Sequence, residues 1–169
     1  MEQLANPEQL EFDARPGTVR PLVFLDTKVI IGYLSGDPSA AKLFSAEAAD
    51  RIRFAVNPIV LQELLLADAT ALPEFDQIRD HLRVLPVDLA KAEALLPRAR
   101  SALSRIAHPN EILILSSADQ CDYLVTRDAL FKLMVTAEKP QVVTPEELVT
   151  RLRAAWCVCT SIPEYSSIS

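Results

Sequence analysis

The sequence predicts an α/β fold with a central, mostly parallel sheet. Three observations lead to this class. Short continuous apolar runs such as residues 22–25 are typical of buried parallel strands. These runs alternate along the chain with segments of helical spacing. Acidic residues follow two of the strand-like segments, Asp26 directly and Asp128 after one intervening residue. Because ligands of such folds sit beyond the carboxyl ends of the strands, these two residues also indicate where a site would lie.

The predicted elements follow one another as short strands and longer helices. Strands or extended segments are expected at 22–25, 52–56, 84–87, 123–126 and 141–144. Helices are expected at 39–50, 58–68, 72–82, 88–106, 109–121, 128–135 and 145–156. Asn57 is a good N-cap before Pro58, and Glu146 and Glu147 suit the first turn of the last helix. Caps and first turns therefore support the helix starts.

The length of 169 residues predicts one domain with a sizeable core. Residues 1–20 are polar and contain Pro7, Pro16 and Gly17, so we expect a loosely ordered N-terminal extension. The domain is expected over 21–156, followed by a C-terminal tail over 157–169 that shows no clear pattern.

Composition narrows the class of protein. Half the residues are hydrophobic and 24% are charged, as in a folded globular protein. No apolar run approaches the ~18 residues of a membrane helix. The first residues lack a basic region followed by an apolar one, so no secretory signal is expected. Three cysteines do not suggest a disulfide framework. We therefore expect a cytoplasmic protein without membrane partners.

The net charge of -6 argues against a broad nucleic-acid-binding surface, which is usually basic. It argues less against a nuclease, because clustered carboxylates bind cations that offset their charge.

Several kinds of site are excluded by what the sequence lacks. Its three glycines, at 17, 32 and 36, cannot form a Rossmann fingerprint or a Walker loop. There is no H-E-x-x-H, C-x-x-C or G-x-S-x-G motif. Two histidines are too few for a multi-histidine zinc site. The remaining candidates are carboxylates.

Four acidic residues stand where a metal site would need them, at strand ends or on helices with largely apolar neighbours. They are Asp26, Glu63, Glu111 and Asp128. Carboxylates in such surroundings are costly to desolvate without a partner. A hard divalent cation with oxygen ligands is one such partner.

Each of these residues also has a simpler interpretation. Asp26 and Asp128 could serve only as helix caps. Glu111 could interact with the dipole of the helix that it begins. Glu63 could form a salt bridge with a core arginine. The helical face of Glu63, predicted to point inward, is shared with Ile59, Val60, Leu66 and Ala67.

Four segments around these residues resemble the PIN-domain ribonucleases, especially the VapC-type toxins of bacterial toxin–antitoxin pairs. They are FLDTKVI (24–30), NPIVLQEL (57–64), HPNEILIL (108–115) and DYLVTRD (122–128). They span about residues 22–150 in the order of the family. The resemblance implies a three-layer α/β/α PIN-like fold, often dimeric.

By this resemblance, Asp26, Glu63, Glu111 and Asp128 would bind Mg²⁺ or Mn²⁺, and Thr126 would support Asp128 by hydrogen bonding. The implied function is hydrolysis of RNA phosphodiester bonds by the toxin of a type II toxin–antitoxin pair. RNA, a cognate antitoxin and a second copy of the chain are the implied partners. The alternative is a catalytically degenerate PIN-like module that binds RNA or a protein.

Two positions depart from the family pattern. Lys28 stands where Asn or Ser is usual, and Glu111 stands where Asp is usual. An ammonium near the cluster could offset one negative charge and weaken metal binding, but it could equally point away or contact a phosphate. Lys28 also argues against a phosphotransferase of the haloacid-dehalogenase type, because that family has a second Asp two residues after the first.

Overall fold

The computed structural model describes residues 20–102 and 109–159, and it gives the backbone alone for 100–102 and 155–159. The strands are β1 (Leu22–Leu25), β2 (Arg53–Val56), β3 (Leu82–Val84), β4 (Tyr123–Val125) and β5 (Gln141–Val143). The helices are α1 (Thr27–Leu34), α2 (Pro38–Leu43), α3 (Ala46–Ala49), α4 (Pro58–Leu66), α5 (Pro73–Arg79), α6 (Leu89–Ala102), α7 (Pro109–Ala118), α8 (Ala129–Met134) and α9 (Pro145–Cys159). A 3-10 helix, Ala69–Ala71, follows α4.

The five strands form one parallel sheet in the order β3-β2-β1-β4-β5. The chain runs outward from β1 to β2 and β3, then returns to place β4 on the other side of β1. The helices form the outer layers of a three-layer α/β/α arrangement, so the predicted fold class is confirmed. The direction of winding changes between β1 and β4, and such a switch point opens a crevice at the carboxyl ends of the strands.

The central strands are buried because both faces of the sheet are covered by helices. All four residues of β1 are buried, and in β4 both Leu124 and Val125 are fully buried. The edge strand β3 is more exposed. The best-shielded strand is therefore β1, which borders the switch point together with β4.

Some predicted elements were wrong. The single helix expected over 39–50 is two helices, α2 and α3, because Ser45 accepts a hydrogen bond from the amide of Ala48 and starts a new one. The extended segment expected at 84–87 begins earlier, as β3, where Leu82 pairs with Phe54 of β2. Helix α1 was not among the predicted elements, and its β-branched residues are weak indicators of a helix.

Other predictions concern parts of the chain that lie outside the described residues. These are the extension over 1–19, the segment 103–108 and the tail from residue 160. Helix α9 continues to Cys159, past the expected domain end at 156. Within the described ranges, no helix has the length and apolar character needed to cross a membrane.

A candidate acidic site at the carboxyl edge of the sheet

The four predicted acidic residues lie at the carboxyl edge of the sheet. Asp26 follows β1 and Asp128 follows Arg127 just beyond β4, so these two residues border the switch point. Glu63 lies in the second turn of α4, the helix that follows β2. Glu111 lies in the first turn of α7. Four distant chain segments therefore bring carboxylates to one side of the sheet.

Asp26 is buried, with only 5% of its surface exposed. It occupies the N-cap position of α1, yet its side chain makes no capping hydrogen bond. Instead, its Oδ2 accepts a hydrogen bond of 2.7 Å from the hydroxyl of Thr126. Burial raises the pKa of Asp26, although the Thr126 hydroxyl and the Lys28 ammonium oppose the rise. The simple helix-cap interpretation is therefore wrong for the Asp26 side chain.

Thr126 also connects Asp26 to Asp128. Its hydroxyl oxygen accepts a hydrogen bond of 2.9 Å from the backbone amide of Asp128. The Asp128 Oδ1 atom in turn accepts from the amide of Leu130 at 3.0 Å and caps α8. The helix-cap interpretation thus holds for one carboxylate oxygen of Asp128. The other, Oδ2, accepts from the Lys28 ammonium at 3.2 Å.

Glu63 is half-buried and is held by two neutral donors. Its Oε1 accepts a hydrogen bond of 2.7 Å from the side-chain amide of Asn110, and its Oε2 accepts one from the hydroxyl of Thr27. These donors stand in place of the core arginine that was the alternative prediction. The inward face of α4 is also narrower than predicted, since Leu66 is 78% exposed.

Glu111 faces the same region. It is half-buried, and its Oε2 atom is shielded from solvent. Its charge is one of those that raise the pKa of Lys28. The largest contribution to that rise is the hydrogen bond to Asp128, which burial opposes, and the charges of Asp128 and Asp26 add to it. Lys28 is therefore the positive charge that three of the four acidic residues share.

The type of ligand suits a hard divalent cation, because every candidate donor is a carboxylate oxygen. The spacing of these carboxylates is less favourable for binding a metal ion. Within the described side chains, no three His, Cys, Asp or Glu residues are gathered closely enough to hold a metal ion. The Lys28 ammonium contacts Asp128 instead. It supplies at this edge the positive charge that a metal ion would bring.

Sequence reasoning missed the residues that position the acidic ones. Thr27 and Asn110 hold Glu63, and each is the immediate neighbour of a predicted acidic residue, Asp26 or Glu111. Their position directly beside a predicted acidic residue is the feature of the sequence from which they could have been predicted. Arg127, directly before Asp128, was missed as well, and it forms ion pairs with Asp37 and Glu146.

No family model and no curated protein matches the sequence. Solved structures do match. FitAcB from Neisseria gonorrhoeae is 22% identical, with a TM-score of 0.55 over 73% of this chain and 97% of that chain. VapBC2 from Rickettsia felis, bound to a DNA fragment from its promoter, is 20% identical, with a TM-score of 0.52 over 73% and 98%. A toxin–antitoxin complex from Klebsiella pneumoniae is 20% identical, also with a TM-score of 0.52, over 73% and 97%.

The chain has a PIN-like fold. The shared part covers nearly all of each matched chain, so the PIN-like fold is complete here. At these identities the likeness concerns the fold alone.

Proposed function

We propose that this protein is a metal-dependent ribonuclease and the toxin of a type II toxin–antitoxin pair. The observation that carries the proposal is the buried Asp26 carboxylate at the switch point of a PIN-like fold, with Asp128 just beyond the neighbouring strand. Glu63 and Glu111 lie on helices α4 and α7 toward the same edge of the sheet. Asp26 and Asp128 are additionally linked through one hydroxyl, that of Thr126. A buried carboxylate that does not cap its helix is costly unless it serves a purpose there.

Asp26, Glu63, Glu111 and Asp128 would hold Mg²⁺ or Mn²⁺. When bound, such an ion would stabilise charge on the phosphate oxygens and make a water molecule more acidic. Thr126 fixes the orientation of Asp26 and the backbone of Asp128. The carboxylates are also the available proton acceptors at this edge, so one of them would take the proton of the attacking water.

The toxin assignment rests on the similar structures, in which toxin-like chains are solved together with antitoxins. This chain offers apolar surface that a partner could cover. Leu65 and Leu66 are both largely exposed at the end of α4. Exposed apolar residues that lie together often belong to an interface. A cognate antitoxin and a second copy of the chain are the partners that we propose.

The test is cleavage of labelled total RNA with Mn²⁺, with Mg²⁺ and with EDTA. We expect discrete, metal-dependent cuts by the wild type and a loss of about 100-fold or more in Asp26→Asn, a size typical for removal of a group that acts in the transition state. Asp119→Asn is the matched control. Asp119 forms an ion pair with Lys91 and follows α7 at the other end of the sheet.

Full activity in Asp119→Asn together with loss in Asp26→Asn would assign the cuts to the acidic cluster. Folded wild-type protein that makes no cuts with either metal would contradict the proposal. Cuts that persist in Asp26→Asn would point to a contaminating nuclease.

The second candidate is a non-enzymatic PIN-like module that binds RNA or a protein. The ion pair of Lys28 with Asp128 favours it, because the ammonium offsets one of the negative charges that a metal would otherwise balance. This candidate predicts no metal-dependent cleavage. It also predicts no change in the melting temperature on addition of Mn²⁺, whereas a bound metal would stabilise the folded state.

A further inference from the structure

The Lys28 ammonium lies among the residues that the proposed metal would use. It contacts Asp128 Oδ2 at 3.2 Å, and the charges of Asp26 and Glu111 act on it as well. It stands at the start of α1, two residues after Asp26. A divalent cation that enters the same cluster meets a positive charge already there, and like charges in close proximity repel.

The ion pair is held loosely enough to be displaced. The Lys28 side chain is 66% exposed, and exposed ion pairs contribute little to stability. The long stem of lysine allows its head group to move to solvent. Asp128 does not depend on this contact for its position, because its other oxygen caps α8 at Leu130. Its backbone amide is also bonded to Thr126.

We propose that Lys28 is an internal cation that competes with the divalent metal ion for the acidic cluster. In the metal-free protein its ammonium holds Asp128, and the metal binds only as the ammonium leaves that carboxylate. Lys28 thereby sets the metal affinity of the site. This inference rests on the proposed function, since it requires the cluster to be a metal site.

The test is a calorimetric titration of MnCl₂ into the wild type and four single variants. Lys28→Met removes the charge and keeps the length of the side chain. We expect it to bind Mn²⁺ roughly tenfold more tightly, the effect of removing one nearby positive charge and one exposed ion pair. Lys28→Arg keeps the charge and should bind like the wild type.

Lys91→Met is the matched control. It also removes one lysine and breaks an exposed Lys–Asp ion pair, that with Asp119, away from the cluster. Its Mn²⁺ affinity should equal that of the wild type. Asp26→Asn should lose the binding and thus show that the titration reports on the cluster. The rise in melting temperature at a fixed Mn²⁺ concentration gives a second readout, and it should be larger in Lys28→Met.

Three results would overturn the inference, and they differ in what they say of the proposed function. Binding that Asp26→Asn removes but Lys28→Met leaves unchanged would overturn the role of Lys28 alone. An absence of Asp26-dependent Mn²⁺ binding in both the wild type and Lys28→Met would overturn the metal site itself. Equal tightening in Lys28→Met and Lys91→Met would also count against the inference, because it would reflect net charge only.

Discussion

At the scale of single residues, Asp26 is a polar group placed where the fold would favour an apolar one. It continues a strand whose four residues are all buried, and it is itself 5% exposed. Burial raises the pKa of its carboxyl group, since the charged form is disfavoured away from water. The Thr126 hydroxyl offsets only part of this cost. The ionised Asp26 therefore lowers the stability of the folded state at neutral pH, while it places a carboxylate at the switch point.

Replacement of Asp26 by Asn should stabilise the metal-free protein at neutral pH. Asn keeps an oxygen that can accept the hydrogen bond from Thr126, and it has no charge to desolvate. Because the folded pKa of Asp26 is raised, the wild type is relatively most stable below the unfolded value near 3.8 and loses that stability as the pH rises through the folded pKa. The free energy of unfolding of Asp26→Asn should therefore exceed that of the wild type, and the difference should grow as the pH rises through this range.

Urea unfolding of both proteins in EDTA, from about pH 4 to pH 8, measures this difference. A difference that shrinks as the pH rises would show that Asp26 is stabilised by its surroundings and not destabilised. Saturating Mn²⁺ should reverse the order of stability, because only the wild type would bind the ion.

At the scale of elements, strands β1 and β4 lie in the interior of the sheet and position the acidic residues that follow them. The amide of Asp26 donates to the carbonyl of Val125 at 3.0 Å, so the last residue of β4 directly positions the acidic residue after β1. Leu124 of β4 pairs with Phe24 of β1 and is fully buried. Loss of packing here should affect both stability and site geometry.

Leu124→Ala should lower the free energy of unfolding by about 2–5 kcal/mol, the usual range for a fully buried leucine. Leu133→Ala is the matched control, because Leu133 lies nearby in α8 and is 63% exposed. Its effect should remain within about 0.5 kcal/mol. Urea denaturation measures both. Equal losses in the two variants would contradict the central position of β4.

At the scale of the whole molecule, Arg127 joins three parts of the chain that are distant in sequence. It follows Thr126 in the loop between β4 and α8, and it forms ion pairs with Asp37, the N-cap of α2, and with Glu146 of α9 at 3.0 Å. Burial opposes ionisation of Glu146. Nevertheless, hydrogen bonds from its own backbone amide, Ser39, Thr144 and Arg127 lower its pKa to about 2.

Arg127→Met should lower the free energy of unfolding at pH 7 by no more than about 1 kcal/mol, because these ion pairs are partly exposed to solvent. The stabilisation of ionised Glu146 is present above its ordinary value of 4.5 and is lost as the pH falls toward about 2. The difference between wild type and variant should therefore shrink across that interval. Urea unfolding at pH 7 and pH 3 measures it.

Arg79→Met is the control for this prediction. Arg79 pairs only with Asp76 and Asp80 among the described residues, within or just after the same helix, so it joins no separate elements. It should change stability less than Arg127→Met does. A larger loss in Arg79→Met would mean that contacts between elements add nothing beyond local ones.

The sequence by itself determined the fold class and the placement of the acidic residues. Continuous apolar runs identify buried parallel strands, and a residue directly after such a run must lie at the carboxyl edge. Asp26 was located in this way, and Asp128 by its position just beyond the predicted strand 123–126. The spacing of apolar residues was less informative for short elements. It predicted one helix where α2 and α3 are separate, because apolar spacing does not reveal the N-cap at Ser45.

Only the tertiary structure decided which side chains meet. The Thr126 hydroxyl reaches Asp26 across 100 positions, and the Asn110 amide reaches Glu63 across 47. Lys28 meets Asp128 only because β4 lies beside β1. Such contacts depend on strand order and register, which arise from packing of the whole chain, whereas local sequence patterns specify only each element and the direction of its faces.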